Sequence, residues 1–254
     1  MFDEFALFDS HFHIIDPLYP LVPNNGYVPE PFTHANYLAR LSNYNLIGGA
    51  IVSGSFQAFD QGYLLSALES LGSGFVGVTQ LPYSTSDEYI VKLHASGVKA
   101  LRFNLYRGGS ETLEHMVSMA NRIYELVGWH IELYVDSTDL EHLFSTLIQL
   151  PSVSIDHLGM RKSGFTHLLK LAENGVKIKA TGFGRIDFDA TQAIVELYNA
   201  NPDSLMFGTD LPSTRAQVPF QDSDFSKVAD ALGTVAAKKV FSKNAIEFYK
   251  PTFQ

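Results

Sequence analysis

Three histidines and one aspartate carry the chemistry this sequence can offer. His11 and His13 form an H-x-H within Asp9-Ser10-His11-Phe12-His13. His157 follows Asp156 in Asp156-His157-Leu158-Gly159, and Asp210 lies in Gly208-Thr209-Asp210-Leu211-Pro212. Imidazole nitrogens and carboxylate oxygens are donors that hold a divalent metal ion. The same groups move protons near neutral pH. An H-x-H alone is weak evidence, because two histidines at that spacing arise often by chance. The plainer reading of the whole set is satisfied polar residues at loop ends, so it gains meaning only if the fold gathers it. Asp210 is then the acidic member able to act as general base for water. The histidines would bind a metal or, without one, polarise a carbonyl and pass protons to a leaving oxygen. Guanidinium groups prefer bidentate contact with carboxylates, so Arg102, Arg107 and Arg185 point to a small anionic substrate. Ordinary surface salt bridging is their plainer reading.

The elements that must position these residues are legible as a rhythm. Apolar, β-branched segments begin near Phe5, Leu46, Gly74, Val98, Trp129, Ser152, Val176 and Ser204, with helical segments between them. From Ser110 to Leu126 the apolar residues Leu113, Met116, Val117, Ala120, Ile123 and Tyr124 make a stripe of helical period. Asp136-Ser137-Thr138 and Asp187-Phe188-Asp189 supply N-cap candidates for two further helices. Strands alternating with helices favour parallel βαβ units. Eight of them with nothing left over favour the α/β class as a closed (β/α)8 TIM barrel, one domain over residues 1–254. A barrel of about 250 residues is ordinary for that fold, and its chemistry sits at the C-terminal strand ends, where the three motifs fall.

Alternation along each strand sends every second side chain inward. Arg102 and Asn104, then His130, Glu132 and Tyr134, then Lys177, Lys179 and Thr181 are expected inside. Unpaired buried charges are costly, so Glu132 and Lys179 are expected close together as an ion pair. His34, His94, His115, His142 and His167 read as surface residues. The stretch at about 16–35 holds Pro17, Pro20, Pro23, Pro29 and Pro31 with Asn24-Asn25-Gly26, Tyr19 and Tyr27. Proline excludes regular structure there. The segment follows strand 1, which makes it an expected loop on the catalytic face.

Composition excludes several functions. The chain has 254 residues, 46% hydrophobic and 18% charged, enough to bury a core. A net charge of −9 with no basic run argues against nucleic-acid binding. There is no cysteine, which removes disulfides, thiolate ligands and a Cys nucleophile, and leaves any metal to nitrogen and oxygen. No apolar run approaches the roughly 18 residues of a membrane span, and the first residues lack the basic start of a signal peptide. A cytoplasmic protein is expected, and a homo-oligomer stays open.

At these motifs the sequence resembles the amidohydrolase superfamily, in its branch of metal-dependent hydrolases with a (β/α)8 barrel. The matching residues are Asp9, His11 and His13, then Asp156 to Gly159, and Gly208 to Pro212. The segments Gly97 to Asn104 and Asn244 to Tyr249 match as well, so the resemblance runs from residue 5 to about 250. Many members bind one or two metals through a strand-4 or strand-5 carboxylate or carboxylated lysine, and a strand-5 histidine. Here strand 4 offers Arg102, while strand 5 ends in Tyr134 with His130 four residues earlier. The resemblance therefore implies one divalent ion, zinc first, on His11, His13, His157 and Asp210, or no metal at all, and argues against a binuclear site. The metal-free alternative is similar to the branch typified by 2-pyrone-4,6-dicarboxylate lactonase. That resemblance implies substrate contacts from Ser53, Arg102, Arg107, Tyr134, Arg185 and Tyr27. The leading expectation is a hydrolase of a small carboxylated lactone with Asp210 as general base. The alternative is a mononuclear metal-dependent amidohydrolase or decarboxylase acting on a small carboxylated ring, with a non-enzymatic binding module third.

Overall fold

Every expected strand forms in the computed structural model, which describes residues 2–253. They are β1 (Ala6–Phe12), β2 (Asn45–Val52), β3 (Phe75–Thr79), β4 (Val98–Asn104), β5 (His130–Tyr134), β6 (Val153–Ile155), β7 (Lys177–Ala180) and β8 (Leu205–Phe207). They pair in parallel in chain order as one sheet. The helices between them are α1 (His34–Arg40), α2 (Gly62–Leu71), α3 (Asp87–Ala95), α4 (Leu113–Val127), α5 (Leu140–Leu147), α6 (Phe165–Glu173) and α7 (Ala190–Ala200). After β8 come α8 (Asp222–Lys238) and, beyond a π-turn, α9 (Asn244–Tyr249).

Backbone bonds at the strand ends draw β8 back to β1. Asp210 N donates to His11 O and His13 N to Leu211 O, each at 2.7 Å. Beside them the Asp9 carboxylate accepts from Thr209 N at 2.8 Å and from its hydroxyl at 2.7 Å. Gly208 is required at this seam, because a Cβ there would lie 2.7 Å from His11 N. The architecture is a single-domain (β/α)8 TIM barrel.

The local signals behave as their chemistry dictates. In α4 half of the expected stripe is buried, Met116, Ala120 and Ile123, together with Met119, whereas Leu113, Val117 and Tyr124 stay exposed on the flank of the same helix. The helix starts at Leu113 rather than Ser110, whose hydroxyl instead accepts from Asn104 N at 2.7 Å. Gly128 ends it in the left-handed region. Asp189 caps α7 through Gln192 N. Asp136 caps not α5 but the 3-10 turn Ser137–Asp139 before it.

Apolar side chains of alternate strand positions divide into two layers. Leu7, Leu101, Phe103, Ile131, Leu133 and Ile178 belong to the outer layer, packed with helix residues such as Leu64 and Ile123. Phe8, Ala50, Val52, Val76, Val78, Ala100 and Met206 fill one end of the barrel with Ala245 and Tyr249 of α9. Above this floor the lumen is polar. The expected Glu132–Lys179 pair is there at 2.5 Å, both side chains fully buried. Arg102 pairs in register with Glu132, and Asn104 with Tyr134. Lys177 departs from the expectation of an inward side chain. It is only partly buried and donates to Asp203 O at 2.7 Å. Its place at the start of β7 lets the long stem reach the barrel rim and the ammonium reach a carbonyl beyond it.

Candidate active site

A bulge in β1 aims the first ligand-type residues. Asp9 opposes Gly49 while Phe12 opposes Ile51, so β1 spends one more residue than β2 over this step. Asp9 bonds Tyr37 of α1 and Thr209, whereas the rings of His11 and His13 meet edge-on at 5.1 Å. His157 joins from the turn after β6, its ring 4.8 Å from that of His11. Asp210, following β8, places Oδ1 3.9 Å from His11 Nε2 and 3.8 Å from His13 Nε2. The four expected residues therefore converge. His157 and Asp210 both hold positive φ, +52° and +61°, a left-handed conformation that costs a non-glycine residue energy. Two of the four converging side chains are thus presented by strained backbone.

The electrostatics leave acceptors facing one another. His13 Nδ1 lies 2.7 Å from Val52 O, and a carbonyl only accepts, so the ring proton is on Nδ1 and Nε2 is a bare lone pair. Asp210 Oδ2 is taken by Arg185 Nε at 2.7 Å. Its Oδ1 is buried without a hydrogen-bond partner, as are His11 Nε2 and His157 Nδ1. Burial pushes all three histidines below their ordinary range, and neighbouring Arg185, Arg102 or Lys179 charges push further in the same direction. They are neutral at neutral pH. A group of buried acceptors in contact calls for a water that donates to them or for a cation.

As a metal site the set fits one ion. Ligand atoms of His11, His157 and Asp210 lie within 4.8 Å of one another, and the unpartnered His11 Nε2, His157 Nδ1 and Asp210 Oδ1 match a divalent ion's preference for nitrogen and oxygen. His13 is outside that close trio, although it touches Asp210. A second buried trio, His11, Glu132 and Asp156, has the Lys179 ammonium against it and does not fit an ion alongside that charge.

Beyond the histidines the barrel mouth opens into a cavity of about 350 Å³ lined by Tyr106, Arg107, Tyr134, Arg161, Arg185 and Arg215. Arg107 makes no ion pair among the described residues and lies over the Tyr106 ring at 5.2 Å. A larger cavity, about 610 Å³, sits at the opposite end of the barrel around Glu69, His94 and Lys99, away from the convergent set.

A family profile described as Amidohydrolase matches residues 8–250. The chain belongs to the amidohydrolase family. A Comamonas testosteroni protein named 2-pyrone-4,6-dicarboxylate hydrolase is 28% identical over 156 residues, 59% of this chain and 51% of that one. The chain thus spans about half the length of that relative. Among solved structures, an Acinetobacter baumannii protein assigned as a 2-pyrone-4,6-dicarboxylic acid hydrolase, with citric acid bound, superposes with TM-score 0.82 at 20% identity. That match covers 96% of this chain and 99% of the other. An Agrobacterium tumefaciens apo structure gives TM-score 0.85 at 19% identity, covering 98% and 97%. Both likenesses concern the fold. Among the described residues, no helix of this amidohydrolase is long and apolar enough to cross a membrane.

The arginine and tyrosine expectations divide. Arg107, Tyr134 and Arg185 line the mouth. Arg102 borders the inner part of the site but is 2% exposed. Its Nε and Nη2 bind Asp156 Oδ2 at 3.3 and 2.8 Å, and Nη1 binds Ser53 O at 2.8 Å. The Ser53 hydroxyl, expected at the substrate, contacts the Tyr63 hydroxyl at 2.5 Å instead, so Ser53 meets the site through its carbonyl hold on Arg102. Tyr27 belongs to a tight turn closed by the Asn24–Tyr27 bridge. Its ring lies under the Arg215 guanidinium at 4.3 Å, while Arg215 Nη1 binds Asn24 Oδ1 at 2.9 Å and Asn24 Nδ2 binds Arg107 O at 3.1 Å. The proline-rich segment is thus tied to the barrel mouth. Sequence reasoning missed Arg215, which carries no periodic or motif signal, and the part played by Asp156. The latter was findable, since a carboxylate beside a site histidine in D-H-L-G is placed to orient its neighbours.

Proposed function

We propose that this protein is a hydrolase that opens a small carboxylated lactone, of the 2-pyrone-4,6-dicarboxylate or sugar-acid lactone kind. The observation that carries this reading is the pair of facing acceptors, Asp210 Oδ1 and His13 Nε2, 3.8 Å apart. A water donating one hydrogen to each satisfies both and is held as a nucleophile. Asp210 takes the proton while the water oxygen bonds the carbonyl carbon. The ring C–O bond then breaks, and the proton passes to the departing oxygen with His157 and His11 at hand. Arg185 holds Asp210 in place through its other oxygen. Arg107, Arg185, Tyr134 and Tyr27 receive the carboxylated part of the substrate, and Arg102 contributes positive charge to the inner cavity. The substrate named for the Comamonas testosteroni relative, a dicarboxylated lactone, supports this choice.

A second reading is favoured by the unpartnered atoms of His11, His157 and Asp210: a mononuclear metal-dependent amidohydrolase or decarboxylase acting on a small carboxylated ring. His11, His157 and Asp210, with His13 beside them, would hold the ion, which when bound supplies Lewis-acid polarisation and a more acidic water. A panel of carboxylated and plain lactones, assayed by acid release with and without chelator, separates the two. Turnover of carboxylated lactones that survives chelation and is lost in Asp210→Asn is the expected result. Activity lost to chelator and restored by zinc or manganese supports the second reading. No turnover of any lactone, beside turnover of a cyclic amide, rejects the first.

A further inference from the structure

Beneath the candidate site a fully buried ammonium contacts a set of metal-type ligands. His11, Glu132 and Asp156 present donor atoms within 4.8 Å of one another. Lys179 Nζ reaches all three, at 2.5 Å from Glu132 Oε2, 3.4 Å from His11 Nδ1 and 3.6 Å from Asp156 Oδ1. We propose that Lys179 is the resident cation of this pocket: it takes the place of a second divalent ion and, as a positioning residue, turns His11 toward Asp210.

Charge balance carries the argument. Two buried carboxylates are tolerable only if compensated. Glu132 is met by Lys179, and Asp156 by Arg102 at 2.8 Å. Two cations thus offset two anions, and the pocket is neutral as built. A divalent ion would add two charges with no new anion and sit against the ammonium. Lysine offers three donors and no acceptor, which suits a cleft lined by two carboxylate oxygens, one of them also beside His11 Nδ1. The support behind this set resembles the outer shell of a metal site. Glu132 Oε1 is bound by the Tyr249 hydroxyl and lies 3.1 Å from His130 Nε2. His11 Nδ1 lies between Asp156 Oδ1, at 3.3 Å, and Lys179 Nζ, and this leaves Nε2 directed at Asp210. Removing the ammonium while keeping the three donors therefore creates a vacancy that zinc can fill.

The test reads metal content and does not depend on which substrate is cleaved. Wild type, Lys179→Ala, Lys179→Arg and the double variant Lys179→Ala/Glu132→Gln are stripped with chelator, equilibrated with zinc, desalted, and analysed for zinc per chain. Lys179→Ala is expected to hold one equivalent more than wild type. Lys179→Arg and the double variant are expected to hold no more than wild type. Equal zinc in wild type and a folded Lys179→Ala overturns the proposal, as does an extra equivalent in Lys179→Arg. Lys179→Ala leaves two carboxylates with one cation, so its soluble yield is also compared with and without zinc during expression. Zinc-dependent yield supports the proposal. A chain insoluble under both conditions overturns it, because the ion then cannot replace the ammonium.

Discussion

Replacing Asp156 by Asn removes one negative charge from the centre of the barrel and nearly nothing else. The carboxylate is fully buried, with Arg102 at 2.8 Å on one oxygen and His11 and Lys179 at 3.3 and 3.6 Å on the other. At an effective dielectric of about 20, the Arg102 pair alone is worth about 6 kcal/mol of Coulomb energy. Asn keeps the shape and a neutral hydrogen bond but leaves two cations facing Glu132 alone. Breaking a buried pair by removing one partner costs about 3–5 kcal/mol, and this is the expected loss at neutral pH. It is a large part of a typical total of about 5–15 kcal/mol. Urea denaturation followed by circular dichroism measures it, with the m-value unchanged. Acid adds a second reading. Burial alone would raise the Asp156 carboxyl, but the His11 ring beside it and the Lys179 and Arg102 charges hold it well below the usual range. A carboxylate lowered in the folded state adds stability above its unfolded value, near 3.9, and surrenders it as pH falls through the folded value. The gap between wild type and Asp156→Asn should therefore narrow below about pH 4. A gap under about 1 kcal/mol at neutral pH, or one that stays constant into acid, refutes the reasoning.

Asp210→Asn should lower kcat by about 10²–10⁴ with KM little changed, as steady-state kinetics on the best lactone will show. Arg215→Met frees the Tyr27 turn and removes a charge from the mouth, so KM for a carboxylated lactone should rise about tenfold, a loss of about 1.4 kcal/mol, with kcat nearly kept. Asp9 is raised to about 6 by burial, which outweighs its bonds from Thr209, His11 and Tyr37. Its contribution is thus full below the unfolded value near 3.9 and falls as pH rises through about 6. Asp9→Asn should remove that slope between pH 4 and 6 from a plot of urea stability against pH. Tyr249→Phe takes one of two partners from the buried Glu132 Oε1, and thermal unfolding should report a loss of about 1–3 kcal/mol.

Much of the barrel was legible because strand and helix periods are local. Alternation placed Glu132 and Lys179 on one inner face 47 residues apart, and they pair. The same alternation failed for Lys177, where position along the strand outweighs facing. The site residues were legible as motifs at strand ends, yet their division of labour was not. That His13 presents a bare Nε2 follows from a carbonyl on β2. That Ser53 turns its hydroxyl away follows from Tyr63 of α2.

The sequence by itself determined the eight-fold strand–helix order, the polar lumen, the convergence of His11, His13, His157 and Asp210, and the bar on sulfur ligands. Only the tertiary structure decided that Arg102 serves Asp156, that Tyr249 closes the floor onto Glu132, and that Arg215 pins a turn 191 residues away. The physical reason is reach. Facing along a strand is set by neighbouring peptide geometry, whereas these contacts exist only once the barrel closes and loops with left-handed residues such as Arg215, at φ +60°, aim their side chains across it.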